Sequence, residues 1–399
     1  MAAGGVMTTY PGTLALPNSS DFDWSTSSPR YLVGPENLNA SLPGYQTVST
    51  MGNITETPSD LDRFYQWYSP IHGVLAPIVC VLGIVANCLN IVVLTRKNMV
   101  SPTNCLLAGL AISDGLTMAA YFPYAILNYH VYKNAMPPFG NAQYLLFFAI
   151  FSVVVHSISI WLTVSLAVFR FIVIRYPRRG TKLCTLQRSK LTIVITCIVV
   201  TIVCIPNSVS YNFVHVTQNN VTGWFIDVRD DSSGYLFLKS FNLWVQAVLI
   251  KLLPCFLLAI LSILLIKQMK DAEKRRKKLL SKNSKGDDDN KRHSKTNRTT
   301  RMLVVVVVLF VVTETPQGIL QLLGGVVDGF FDHIYGPLGD VMDTLALFNN
   351  GINFVLYCTM SKQFRDTFIK IFLRDIISDG SSTRTTMLMS TQPTRDSDL

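Results

Sequence analysis

The chain of 399 residues is 49% hydrophobic and only 15% charged, an imbalance that ordinary soluble domains do not carry. Its net charge of +10 is gathered between long apolar stretches, which excludes an evenly solvated surface and argues against a nucleic-acid partner. The eight cysteines lie in apolar spans or among basic connections, so no extracellular disulfide framework is expected.

Residues 1–66 are rich in Pro, Ser, Thr, Gly and Asn and hold six acids against two bases. They read as a disordered extracellular segment, glycosylated at the sequons of Asn18, Asn39 and Asn53. No cleavable signal peptide opens the chain, and the first span is expected to serve as its own insertion signal. Seven apolar stretches follow, at about 71–95, 103–128, 143–174, 190–210, 238–266, 302–326 and 340–359, each near the ~20 residues a bilayer core demands. The connections 96–97, 175–190 and 267–301 hold 22 Lys and Arg against five acids, which places them in the cytoplasm and the N-terminus outside. A further sequon, Asn220, then falls outside. The third cytoplasmic loop, 267–301, is expected to be disordered over 271–300. In 361–374 the spacing of Phe364, Phe368, Ile369 and Phe372 predicts an amphipathic helix lying on membrane lipid, and 375–399 is a disordered Ser/Thr-rich tail. The fold class is an all-α membrane protein: a seven-transmembrane helix bundle over 67–360 with a short amphipathic eighth helix, multi-pass in the plasma membrane.

A charged group at the bilayer centre costs roughly 2.5–3.5 kcal/mol on insertion scales, so each polar residue within a span calls for a role. Asn87 lies in the first span, Asp114 in the second, Ser159 and Arg170 in the third, and Asn349, Asn350, Asn353 and Tyr357 in the seventh. Pro254 and Pro316 interrupt the fifth and sixth. In order along the chain, Asn87, Asp114, Arg170, Pro254, Phe310, Pro316, Asn353 and Tyr357 resemble the marker residues of the rhodopsin-like (class A) G-protein-coupled receptors, over about residues 70–373. Within them, the string Thr313-Glu314-Thr315-Pro316-Gln317-Gly318-Ile319 and the run from His156 to Thr163 look like the invertebrate myosuppressin and FMRFamide-like neuropeptide receptors. The resemblance implies a short peptide ending in Arg-Phe-amide and a heterotrimeric G protein of the inhibitory class. Coupling and activation would fall to Arg170, Asn353, Tyr357 and Glu314. It also implies either an allosteric sodium ion or a water network among Asp114, Ser159, Asn349 and Asn353. No other cofactor and no enzymatic activity is expected. Ser381, Ser382, Thr383, Thr385, Thr386 and Ser390 are kinase targets whose charge would recruit arrestin, and the terminal Ser397-Asp398-Leu399 fits a PDZ protein.

Departures from the family pattern sharpen the expectations. Phe169-Arg170-Phe171 lacks the acid that normally precedes the arginine, Asn353-Phe354 replaces Asn-Pro, the fourth span lacks its tryptophan, and Ser262 stands where a tyrosine is common. The cysteine expected near Leu145 is missing, so the loop 211–237 must be held by other contacts or be mobile. Glu314 occupies the usual place of a tryptophan. Lys251, the only lysine deep in the spans, is expected to pair with it or to meet the ligand; the alternatives are a static pair or a protonated glutamate bonded to water.

Leu347 stands where a retinal Schiff-base lysine would be, and Ser152 where amine receptors carry an aspartate, so both of those ligand classes are excluded. The outer segments together hold twelve acids and four bases, a field suited to a cationic peptide. Asp343, Gln317, Gln321 and Tyr124, with Glu314 and Lys251, are the candidate ligand contacts. A chemosensory receptor for a small molecule is the alternative. A transporter would show inverted repeats and an enzyme a catalytic motif, and neither pattern is present.

Overall fold

The computed structural model describes residues 60–133, 135–218, 221–228, 233–280, 287–327 and 330–372. The first helix, α1 (Asp60–Leu94), has 35 residues and is about 50 Å long, well beyond a ~30 Å hydrocarbon core. Its first turns belong to the segment expected to be disordered. Asp60 and Asp62 favour the positive end of the helix dipole, and Phe64 stacks on Tyr68 one turn later at 5.7 Å, which carries the helix outward.

The second crossing, α2 (Pro102–Ile126), starts where Ser101 Oγ accepts a hydrogen bond from the Asn104 amide at 3.1 Å, with proline at the first position, and ends in a π turn, Leu127–Val131. The third, α3 (Phe139–Arg175), spans 37 residues and is followed by a short helix, α4 (Pro177–Leu183). The fourth crossing is α5 (Leu186–Val203) extended by α6 (Ile205–Ser208). An antiparallel hairpin follows, β1 (Tyr211–Gln218) with β2 (Val221–Val228), in register from Tyr211↔Val228 to Gln218↔Val221. The fifth crossing is α7 (Ser233–Trp244), a π segment Val245–Leu252, and α8 (Leu253–Leu280). The sixth is α9 (Asp287–Val326), with Pro316 inside it. A π turn, Phe331–Tyr335, leads to α10 (Gly336–Gly351) and α11 (Asn353–Met360), and α12 (Lys362–Phe372) closes the described chain.

Among the described residues, six helices are long and apolar enough to cross a membrane. The seventh crossing is broken at Ile352 into segments of 16 and 8 residues. At the break Asn87 Nδ2 donates to the Asn350 carbonyl at 3.0 Å, tying α1 to α10. A Cβ on Gly83 would collide with the Met118 side chain and lie 3.5 Å from Gly351 Cα, so this glycine permits the close meeting of α1, α2 and α10. Large apolar side chains such as Leu82, Val85, Ile198 and Phe256 face outward, where a bilayer would cover them.

Two regions differ from expectation. The loop expected to be disordered over 271–300 is helical through Leu280, where Lys, Arg, Glu, Ala and Leu are good helix formers, and again from Asp287, where a polar stretch continues the helix of the sixth crossing. The loop 211–237 contains the hairpin, held without a disulfide: all eight cysteines are free. The Trp224 amide donates to the Pro137 carbonyl at 3.0 Å, and Phe139 packs against Phe213 and Trp224 with centroids at 5.1 and 4.9 Å. At the C-terminal end of the bundle Phe364 of α12 is buried against Tyr357 at 5.6 Å, and Arg365 caps α11 through the carbonyls of Cys358 and Thr359 at 3.0 and 2.9 Å.

Candidate functional site

A cavity of about 50 Å³ opens among α2, α3, the π segment of the fifth crossing, α9 and α10. Four of the expected contact residues line it, Asp343, Gln317, Gln321 and Lys251, together with His156 and Ser152. Tyr124 and Glu314 do not. Tyr124 is stacked on Phe148 at 4.3 Å inside the apolar core, and Glu314 lies behind the lining residues. At about 15 Å³ per water the cavity holds a few solvent molecules, so a ligand group the size of a ring enters only as side chains move.

The floor of the cavity is a buried ionic cluster. Lys251 Nζ donates to Glu314 Oε2 at 2.7 Å and to Gln317 Oε1 at 2.8 Å, and lies 3.1 Å from His156 Nε2. An ammonium has three hydrogens, and Glu314 and Gln317 take two of them. His156 Nε2 stands between the two charged groups, 3.1 Å from Lys251 Nζ and 3.3 Å from Glu314 Oε2. The ion pair expected between Lys251 and Glu314 is in place.

Local backbone features build this cluster. The π segment Val245–Leu252 adds a residue per turn just before Pro254 and turns Lys251 into the bundle. Gly318 lets α9 come close: a Cβ there would lie 3.1 Å from both Lys251 Cβ and Leu252 Cδ2. Glu314 Oε1 and His156 Nδ1 are buried without a hydrogen-bond partner among the described residues.

On the opposite wall, Asp343 Oδ2 accepts from the Tyr121 hydroxyl at 2.8 Å. The Tyr121 oxygen also lies 3.0 Å from His72 Nε2, and His72 Nδ1 lies 2.8 Å from Thr344 Oγ1. Below the cavity, Asp114 accepts from Ser159 Oγ at 2.5 Å and from Asn353 Nδ2 at 3.0 Å. Three of the four residues expected around a sodium ion therefore meet. Asn349 is half-buried and not hydrogen-bonded to Asp114. The carboxylate and hydroxyl oxygens gathered there are donor types a hard cation takes, while Asn353 presents its amide nitrogen.

The sequence profile described as "Serpentine type 7TM GPCR chemoreceptor Srw" matches residues 74–375. The chain belongs to this family of G-protein-coupled receptors. The receptor is 30% identical over 355 residues to the Caenorhabditis elegans "G-protein coupled receptor dmsr-1", covering 77% of the chain and 69% of the relative. It is 28% identical over 414 residues to the Drosophila melanogaster "Sex peptide receptor", with 94% and 93% covered. It is 25% identical over 322 residues to the Drosophila melanogaster "FMRFamide receptor", with 77% and 54% covered.

Near the C-terminal end of α3, Arg170 has no acidic partner among the described residues, and its Nε is buried without a hydrogen bond there. Tyr357 is buried against α12. The sequons at Asn18, Asn39, Asn53 and Asn220, the kinase targets from Ser381 to Ser390 and the terminal Ser-Asp-Leu lie outside the described residues.

Several site residues were not legible as such in the sequence. His156 sits in a quoted motif but carries no sign that it faces Lys251. His72 and Thr344 give no signal beyond being polar in an apolar span, and only the packing of α1 against α10 joins them.

Proposed function

We propose that the receptor binds a short amidated peptide ending in Arg-Phe from the extracellular side and activates a heterotrimeric G protein, of the inhibitory class. The observation that carries this reading is the cavity's polarity: an acid, Asp343, on one wall and the Lys251–Glu314–Gln317 cluster at the floor. The acid suits a guanidinium, in the bidentate manner typical of arginine. Gln317 and Gln321 supply neutral donors and acceptors for a terminal amide, while the unpartnered Glu314 Oε1 accepts an N–H once the floor opens. The names of the Drosophila relatives, a sex peptide receptor and an FMRFamide receptor, support a peptide ligand.

Arg170 and Tyr357 with the basic cytoplasmic ends receive the G protein, the phosphorylated tail recruits arrestin, and Ser397-Asp398-Leu399 engages a PDZ protein. A sodium ion at Asp114, Ser159 and Asn353 favours the resting state. The test is a panel of amidated Arg-Phe peptides and their free acids, applied to cells expressing the receptor with a promiscuous G protein. A potent response that needs the amide supports the proposal. Silence across the panel, with surface expression confirmed, refutes it. A second reading, a chemosensory receptor for a small molecule, is favoured by the small cavity volume; a response to small polar compounds but not to amidated peptides would establish it.

A further inference from the structure

Five hydrogen-bond contacts run without interruption through the buried outer ends of α1, α2 and α10. Tyr68 Oη meets Thr344 Oγ1 at 2.9 Å, and Thr344 Oγ1 meets His72 Nδ1 at 2.8 Å and the Asp340 carbonyl at 2.8 Å. His72 Nε2 meets Tyr121 Oη at 3.0 Å, and Tyr121 Oη meets Asp343 Oδ2 at 2.8 Å. Each contact needs one hydrogen from one of its two ends. The two tyrosines, the threonine and a neutral histidine bring one each, the carbonyl brings none, and an ionised Asp343 brings none. That is four hydrogens for five contacts.

The missing hydrogen has two places to sit. On His72 it makes an imidazolium that donates at both nitrogens, and Tyr121 donates to the Asp343 carboxylate. On Asp343 it reverses the direction at Tyr121, which then donates to a neutral His72. Both arrangements carry no net charge. Without the extra proton the chain is one hydrogen short and carries a net negative charge in a site where His72 and Asp343 are 0% and 3% exposed, which is costly.

We infer that His72 and Asp343 share one proton through Tyr121, and that a cationic ligand group arriving at Asp343 displaces it. This rests on the reading of Asp343 as the contact for the ligand's arginine. The charges balance: before binding, the pair with its extra proton is neutral; after binding, the ligand cation faces the Asp343 carboxylate, His72 is neutral, and the proton has left to solvent. Ligand and proton compete, so affinity rises with pH while the pair holds its proton. His72 is a positioning residue that acts through Tyr121.

The other groups facing this chain do not replace the shared proton. From α1 come Tyr68 and Cys80 and from α2 Tyr121 and Tyr124; the π turn Leu127–Val131 adds Tyr129 and His130, the π turn Phe331–Tyr335 adds Tyr335, and α10 adds Asp340. Tyr129 donates to Asp340 at 2.7 Å, and His130 is spent on the Gly73 carbonyl at 2.8 Å. Lys251, across the cavity, is held by Glu314. His156 is the remaining titratable group on the cavity wall and must be separated by experiment.

The experiment is binding of N-acetyl-Phe-Met-Arg-Phe-amide, whose blocked amine removes the peptide's own titration, to membranes carrying the full-length receptor from about pH 5.5 to about pH 8, the range in which histidine titrates. The dissociation constant is expected to fall by up to about tenfold per pH unit, the limit for one released proton. His72→Gln should flatten this dependence and His156→Gln should keep it. The citrulline analogue, which is neutral, should bind without pH dependence. Should His72→Gln fail to reach the surface, calorimetry of the wild-type receptor in buffers of different ionisation enthalpy should count about one proton released per peptide at low pH. Peptide binding that is flat with pH, or a slope lost in His156→Gln but kept in His72→Gln, overturns the inference and leaves the peptide reading intact. No binding at any pH overturns the peptide reading, and this inference with it.

Discussion

Replacing Glu314 by glutamine keeps the size of the side chain and removes only the charge. Lys251 would retain Gln317 and His156 at 2.8 and 3.1 Å, but lose the carboxylate at 2.7 Å in a place where its side chain is 9% exposed and that of Glu314 1%. Stranding one charge of such a pair costs about 3–5 kcal/mol. At roughly 2 °C per kcal/mol for a chain of this size, the melting midpoint of the detergent-solubilised receptor should fall by about 6–10 °C. The double variant Glu314→Leu with Lys251→Met removes both charges and should melt within about 3 °C of wild type, since an apolar pair of similar volume avoids the desolvation penalty. Thermal unfolding followed by a thiol-reactive or intrinsic-fluorescence readout measures both. Were Glu314 protonated and bonded to water instead, glutamine would be a near-neutral replacement. An unchanged midpoint for Glu314→Gln, or equal losses in the single and double variants, would therefore refute the ion-pair argument.

Gly318→Val should weaken surface expression by the equivalent of about 1–3 kcal/mol, because a side chain there pushes α9 off Lys251, whereas Gly318→Ala should be milder; flow cytometry of tagged receptor checks both. Dithiothreitol should leave ligand affinity unchanged because no disulfide holds the outer hairpin, while Trp224→Ala should lower affinity by about tenfold through loss of its contacts with Phe139, worth ~1 kcal/mol or more. Basal nucleotide exchange on a co-expressed G protein should exceed that of membranes lacking the receptor, because Arg170 has no acidic partner among the described residues; Phe169→Asp, which supplies one, should reduce it about fivefold for ~1 kcal/mol of new interaction. Exchanging sodium for N-methylglucamine should raise agonist affinity in wild type and leave it unchanged in Asp114→Asn, as measured by competition binding.

Much of the bundle is written along the chain because lipid imposes a simple rule: a span must be apolar and must satisfy its own backbone. The spans, the basic connections and the helix at Lys362–Phe372 follow from that rule and from helical spacing. The pairing of Lys251 with Glu314 was also legible, since two opposite charges in hydrocarbon have few other fates. What the sequence alone does not reveal is which neutral polar residues face one another. The meeting of His156 with Lys251, and of His72 with Tyr121 and Thr344, depends on the rotation of each helix about its axis. A π segment or a glycine contact shifts that rotation by an amount no periodicity records. The helical extensions into Asp60–Tyr68 and beyond Lys267 escaped a composition-based reading for a related reason, because a polar segment continues a helix already nucleated in the membrane at little further cost. The membrane's exclusion of polar groups thus determines class and topology from sequence, while the site itself is decided by helix rotation and close packing, which exist only once the bundle has assembled.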